Sequence, residues 1–370
     1  MSRKSRPCLR LPESCEDDPR APTDRDDIPQ APLARRWQDR KDWELLSSED
    51  RLYAVHRGHP VSRLGPLQAQ RAFRVDFPKM LNFLAKSLND LGNSAQNRGM
   101  RASARLLYRS AAIARPSWSS PWYNLGLQAK YECEWQPSLR FNERAAALAP
   151  DDQAGWWNLG IAATALNDWR LARKAWNGCG IQLDGEPDDE IVMPPVTACV
   201  RLNPNSSGEV VWGTRIDPAR IQVRNVPLPN SNHRYYDILL NDGAAEGTRE
   251  SGGQEYPVFN ELELWKPSGY STFQSALSMD DENAEHDLIQ ACNESDIGLE
   301  DWTTVRIICA ACSVGSLDQN HCSAGAVDEG DRNYGFGVMS REVLVQVLSS
   351  WANASPGRGF SDPHLVLLAG

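Results

Sequence analysis

The sequence predicts a multidomain protein: an all-α helical solenoid, then a small antiparallel β domain, then an α+β domain. Three observations predict it. Apolar residues recur at helical spacing from about Phe77 to Leu183, short alternating runs take over from about Ile191 to Ser268, and strand-like and helix-like segments alternate over the last hundred residues. At 370 residues the chain is long for one compact domain, and two or three domains suit that length.

Residues 1–50 alternate Pro, Asp, Glu and Arg with few large apolar side chains, too few to offset the entropy of ordering, and are expected to form a disordered arm. The helical region spans 51–184. Aligned to itself it shows a period: Trp122 and Trp156, Asn124 and Asn158, Leu125 and Leu159, Gly126 and Gly160, and Trp135 and Trp169 all stand 34 residues apart. One period earlier lie Leu91 and Gly92. Three repeats follow, at about 83–116, 117–150 and 151–184, with small residues in mid-repeat (Ala95, Ala129, Ala163, then Ala104, Ser138, Ala172) and a closing Pro116 and Pro150.

An aromatic-x-x-Leu-Gly start, small residues in mid-repeat and a closing Pro at this period resemble the tetratricopeptide repeat (TPR). The resemblance covers about 100 of the 370 residues. It implies stacked helix pairs in which small residues let the helices approach and large ones fill the space between repeats. It also implies a concave groove, lined by the first helix of each pair, that holds a peptide. On this chain the groove positions are Lys86, Asn89, Asn93, Tyr123, Asn124, Leu127, Lys130, Tyr131, Trp157 and Asn158. Some members of the family clamp a C-terminal carboxylate there. Asn93 and Asn124 match two of the amide positions, but Ala154 and Asn158 stand where cations belong, so a clamp of that type is not expected. No polar capping helix follows the third repeat, and the next domain is expected to cover its open end.

The β domain is expected at 190–268, as a barrel or sandwich built from runs such as "EVVWGTR", "RIQVRNV", "RYYDILL" and "YPVFNELELW", with 243–254 as a long loop, either a plain exposed insertion or one that grips a ligand. The last domain, 269–370, reads strand "STFQSALS", helix from about Asp280 to Glu294, strand "TTVRIICA", strand "NYGFGVM", helix "REVLVQVLSSWA", strand "PHLVLLA". Asp280 and Ser340 are placed to cap the two helices. The order βαββαβ is that of the α+β ferredoxin-like fold.

Hydrophobic residues make up 41% of the chain, and no run of about 18 apolar residues could span a bilayer. "MSRKSRPCLRLPESCEDD" lacks the apolar stretch of a secretory signal, so a cytoplasmic protein is expected. The net charge of -10 divides unevenly. Over 51–130 thirteen Lys or Arg meet only Asp76 and Asp90, about +11, whereas over 271–370 fifteen acids meet Arg306, Arg332, Arg341 and Arg358, about -11. Two readings fit: solvated faces of opposite sign, or a basic front that meets an acidic partner or the protein's own acidic end.

Chemistry-bearing motifs are sparse. Cys309 and Cys312 have CxxC spacing, and His321 and Cys322 follow in the same stretch. Four N/S ligands there would suit a structural zinc ion, the CxxC pair would suit thiol redox chemistry, and unliganded thiols are the plain reading. The segment "RNYGFGVM" resembles the aromatic strand of the RNA recognition motif, but a domain near -11 repels phosphates, so Tyr334 and Phe336 read as sheet packing and nucleic acid is not an expected partner. The sequence holds no GxxxxGK[ST], GxSxG or HExxH motif. The expectation is a non-enzymatic scaffold or adaptor that binds a protein or peptide in the groove and needs no cofactor; the alternative is a metal- or thiol-dependent module at Cys309 and Cys312, recruited by the repeats.

Overall fold

The computed structural model describes residues 77–206, 208–279, 282–303 and 332–370. The expected arm at 1–50 and the start of the helical region lie outside the described residues.

Six helices among the described residues form three antiparallel pairs: α1 (Phe77–Asn97) with α2 (Arg101–Ala114), α3 (Ser119–Tyr131) with α4 (Trp135–Leu148), and α5 (Gln153–Ala165) with α6 (Trp169–Gly178). The 34-residue period is visible at the level of single hydrogen bonds. Each first helix ends with the same bond, Met100 N to Ala95 O, Glu134 N to Ala129 O and Asp168 N to Ala163 O, all at 2.9 Å. The residue before each donor, Gly99, Cys133 or Asn167, takes a positive φ of 73°, 53° or 59°. Trp122 and Trp156 each donate an indole N–H to the carbonyl of the repeat-closing proline, Pro116 at 3.1 Å and Pro150 at 2.9 Å.

The repeated spacing of Gly92, Gly126 and Gly160 has a steric cause. A Cβ at these positions would lie 2.5 Å from the Tyr108 ring, 2.5 Å from the Asn142 amide and 2.7 Å from the Trp176 ring. Each large side chain sits sixteen residues after its glycine and needs the bare backbone to seat itself between the paired helices.

The β domain is a closed five-stranded barrel, β1 (Val196–Leu202), β2 (Glu209–Asp217), β3 (Arg220–Val223), β4 (Ile238–Ser251) and β5 (Gln254–Lys266). The strands form an antiparallel meander closed by parallel pairing of β1 with β5, with Cys199 opposite Val258. Val200, Leu202, Val211, Ile221, Val223, Leu239 and Phe259 fill its interior. The stretch 243–254, expected as a loop, is instead a two-stranded ribbon that continues β4 and β5 past the barrel, with Ser251 opposite Gln254. Gly252 and Gly253, at φ of 58° and 79°, make the two-residue turn that joins them.

The barrel covers the end of the solenoid. Ile161, Trp176 and Cys179 of the third repeat share a core with Ile191, Ala219 and Leu240. Beside it the fully buried guanidinium of Arg220 lies between the rings of Trp169 and Trp265, 4.9 and 4.5 Å from their centroids. The same group donates to Asp217 at 2.6 Å, to Glu190 at 2.5 Å and to the Ile191 carbonyl at 2.7 Å, so its charge is paired and its donors are used.

The last domain is a second sheet, β6 (Ser271–Met279), β7 (Gly298–Asp301), β8 (Arg332–Val338), β9 (Arg358–Phe360) and β10 (His364–Leu367), with helices α7 (Ala284–Glu294) and α8 (Arg341–Asn353). Its strand order is β10-β6-β8-β7, every neighbour antiparallel, with β9 also pairing β6. Three details differ from expectation. The strand after α7 is Gly298–Asp301, before "TTVRIICA", of which only Thr303 is described; β9 is additional; and Ser340 makes no side-chain cap. Asn283 precedes α7 without a side-chain cap, Asp280 lies outside the described residues, and the Ser340 hydroxyl bonds Glu342 rather than a backbone amide. Tyr334 and Phe336 are 1% and 0% exposed in the core against α7 and α8, where neither ring is available to stack on a base.

Candidate partner-binding surface

The expected groove residues come together on the first helices of the three pairs, and they divide into two sets. At the N-terminal end they pair with one another. The Asn124 amide donates to Asn89 Oδ1 at 3.0 Å and to Asn93 Oδ1 at 3.3 Å, and the Tyr108 hydroxyl donates to Asn93 Oδ1 at 2.9 Å. One repeat on, Tyr123 and Asn158 are hydrogen bonded. Lys86 is exposed and Leu127 half-buried. The result is an amide-rich step with a cation at one end and an apolar side chain at the other.

At the C-terminal end the face is occupied by the chain's own strand β4. Lys130 is 2% exposed; its ammonium lies 2.7 Å from Asp242 Oδ1 and 4.4 Å from the centroid of the Tyr131 ring. The Tyr131 hydroxyl donates to the other oxygen of Asp242 at 2.8 Å, and the Gly243 amide donates to Oδ1 at 2.7 Å. Burial opposes ionisation of Asp242, but the Lys130 charge and these three donors outweigh it, so its carboxyl titrates below the usual range and is ionised at neutral pH. Burial, then the neighbouring Asp242 charge, pushes the Tyr131 phenol above its ordinary value and keeps it a donor.

Trp157 completes this contact. Its ring meets Trp176 edge-on at 5.2 Å between centroids, and β4 passes so close that a Cβ at Gly243 would fall 1.6 Å from the indole nitrogen. Trp156, its neighbour in sequence, packs instead over Gly178. Farther along, the Cys133 thiol donates to the Leu262 carbonyl at 3.3 Å and Trp135 donates to Glu263 at 2.5 Å, which fixes β5 against the second repeat. Lys130, Tyr131 and Trp157 therefore hold an extended strand already. Asp242 and Gly243 were missed by sequence reasoning, because "NDG" reads as turn chemistry and nothing local marks it as the occupant of a groove.

A second concentration of titratable groups lies where the barrel meets the last domain. Glu209 accepts from the Leu228 amide at 3.1 Å; Glu300 accepts from Asn225 at 2.6 Å. Burial pushes both carboxyls up to about 7, and for Glu300 the Glu209 charge adds to it. His233 lies 3.0 Å from Glu261 and 3.7 Å from Asp237; burial opposes its charge, but these two carboxylates raise it to about 9. Around this joint Tyr235 and Tyr236 stack at 4.0 Å, and Trp302 donates to the Val226 carbonyl at 3.0 Å.

Cys309, Cys312, His321 and Cys322 lie outside the described residues. Among the described residues no group of three or more His, Cys, Asp or Glu could hold a metal ion. Cys179, Cys199 and Cys292 are buried free thiols whose burial pushes them up to about 12, far from thiolate reactivity at neutral pH. No described helix is long and apolar enough to cross a membrane.

No protein-family model and no curated protein matches the chain. Among solved structures, the chain is similar to the second TPR domain of Spaghetti (RPAP3) bound to the HSP90 peptide SRMEEVD, at 16% identity and a TM-score of 0.28 over 30% of this chain and 95% of that one. It is also similar to the CopN-Scc3 complex, at 15% identity and a TM-score of 0.26 over 45% of this chain and 84% of that one.

Proposed function

We propose that this chain is a non-enzymatic adaptor whose TPR-type repeats hold an extended segment of a protein partner. The site is the N-terminal half of the concave face, at Lys86, Asn89, Asn93, Tyr123, Asn124 and Leu127. The observation that carries this reading is internal: farther along the same face, Lys130, Tyr131 and Trp157 grip a β strand through its acidic side chain and its bare backbone at Gly243. The other half offers related groups, the half-buried amides of Asn93 and Asn124 for a peptide backbone and exposed Lys86 for an acidic side chain, with buried Asn89 as an acceptor that holds Asn124. The barrel and the last domain serve as the body that closes the solenoid. The antiparallel order β10-β6-β8-β7 supports assigning the last domain to the ferredoxin-like class.

A random peptide library displayed on phage and selected on the intact protein tests the reading. Enriched peptides are expected to bind at least about tenfold more weakly to an Asn93→Ala, Asn124→Ala double variant, a loss of about 1.4 kcal/mol. A library that enriches nothing, or peptides indifferent to that variant, would contradict it.

A further inference from the structure

The first helix pair is bare on the side where each later pair is covered. Leu91 is 56% exposed, whereas its counterparts one and two periods on, Leu125 and Leu159, are 2% and 1% exposed. The difference lies in what precedes them. Leu125 shares a core with Ala104 and Tyr108 of α2, and α4 lies so close to α5 that a Cβ at Gly155 would fall 3.4 Å from the Ala146 amide nitrogen. Each later first helix thus packs on the second helix just before it, across a short connection, 115–118 or 149–152. No described helix precedes α1. Its Phe77, Met80, Leu81, Leu84 and Leu91 are all exposed, and at about 100° per residue they fall in one stripe about 100° wide, on the other side of α1 from Lys86 and Asn93 of the groove.

The start of α1 also departs from the period. The later first helices begin at Ser119 and Gln153, which places their counterpart at residue 85, but α1 begins at Phe77. Residues 77–84 therefore stand where a connection and the end of a preceding second helix would stand, and they carry most of the apolar stripe. A covering helix in periodic register, one period before α2, would span 67–80 and overlap α1. A cover from this chain has to come from farther upstream. Residues 33–57 are the long run there with neither Pro nor Gly, and within it Leu45, Leu46, Leu52 and Tyr53 recur at i, i+1, i+7 and i+8, the spacing of one helical face.

We infer that the chain's own segment 43–55 covers the stripe on α1 and closes this end of the solenoid, as the barrel closes the other. The chain runs from this segment straight into α1, through a connection of about twenty residues that spans at most about 65 Å, roughly twice the length of α1 at about 1.5 Å per residue. Every point of the stripe is within its reach. Such a tether holds the segment at an effective concentration on the order of a millimolar, above that of a second copy in dilute solution. A stretch too poor in apolar residues to fold alone can still order on an apolar face, and the stripe supplies one. The stripe and the groove lie on different sides of α1, so this inference does not rest on a groove ligand.

Hydrogen exchange followed by mass spectrometry on the full chain tests this in both directions. With Leu45→Gln and Leu52→Gln, the amides of 77–91 are expected to exchange about tenfold faster than in wild type, while those of α3 to α6 keep their rates. Reciprocally, Leu84→Gln with Leu91→Gln changes two exposed side chains and is expected to speed exchange over 43–55. Ser47→Gln, on the opposite side of the same run by its spacing, should leave 77–91 unchanged. Wild-type protection of 77–91 is expected to be the same at about 1 and about 100 µM, because the cover is tethered. Protection that falls on dilution would assign the cover to a second copy and overturn the inference. Equal exchange of 77–91 in wild type and the Leu45, Leu52 variant would overturn it as well, since the stripe is then covered by another part of the chain or left bare for an outside partner.

Discussion

Trp156 and Trp157 are adjacent in sequence and act in different directions. Trp156 belongs to the period: like Trp122 it closes its repeat on a proline carbonyl. Trp157 faces the barrel, between Trp176 and Gly243. The 34-residue spacing made the first role legible, since Trp122 is its counterpart; the second depends on a strand some 85 positions away and has no local sign. The titratable joint gives a residue-scale prediction. Glu300 titrates at about 7 in the folded protein against an ordinary 4.5, so the folded state prefers its neutral form. Its contribution to stability is fully present below pH 4.5 and is lost as pH rises through about 7. His233, raised to about 9 from 6.5, adds a loss of its own between those values. Chemical denaturation across pH 5 to 8 should therefore show falling stability in wild type and a flatter profile in Glu300→Gln, whose amide stays neutral. Equal slopes in the two proteins would remove Glu300 from this account.

At the scale of elements, the solenoid was readable because its sterics repeat. Gly92, Gly126 and Gly160 each accommodate a large side chain sixteen residues on, so one constraint is written three times. Gly160→Ala should place a methyl group against the buried Trp176 ring and cost about 1–3 kcal/mol, seen as a lowered denaturation midpoint. An unchanged midpoint would mean that the helix pair has slack at this approach. The β4–β5 ribbon was not readable in the same way. Residues 243–254 carry Gly, Glu, Thr, Arg and Ser with no alternation, because much of the ribbon faces solvent on both sides and no core face imposes a period of two. The one signal present was the Gly252-Gly253 pair, which is hairpin chemistry. Strand β7, four residues long, is too short for periodicity to announce, and Trp302 beyond it marks the joint with the barrel rather than the strand itself.

For the whole molecule, the succession of helical repeats and then two sheets was legible from changes of period. Which faces meet was not. Lys130 and Asp242 are 112 residues apart, and a contact at that separation is specified by the packing of two domains rather than by either segment. That packing sets the C-terminal half of the groove, at Lys130, Tyr131 and Trp157, against the chain's own strand. The division of the groove is the claim on which the functional reading stands, and a double-mutant cycle on Lys130 and Asp242 measures it most directly. Lys130→Met and Asp242→Asn should each destabilise the protein by about 3–5 kcal/mol, since either leaves a buried partner unmatched. The double variant should lose about 2 kcal/mol or more less than their sum. Single variants that cost under about 0.5 kcal/mol each and simply add would contradict the account, because they would place β4 outside the groove.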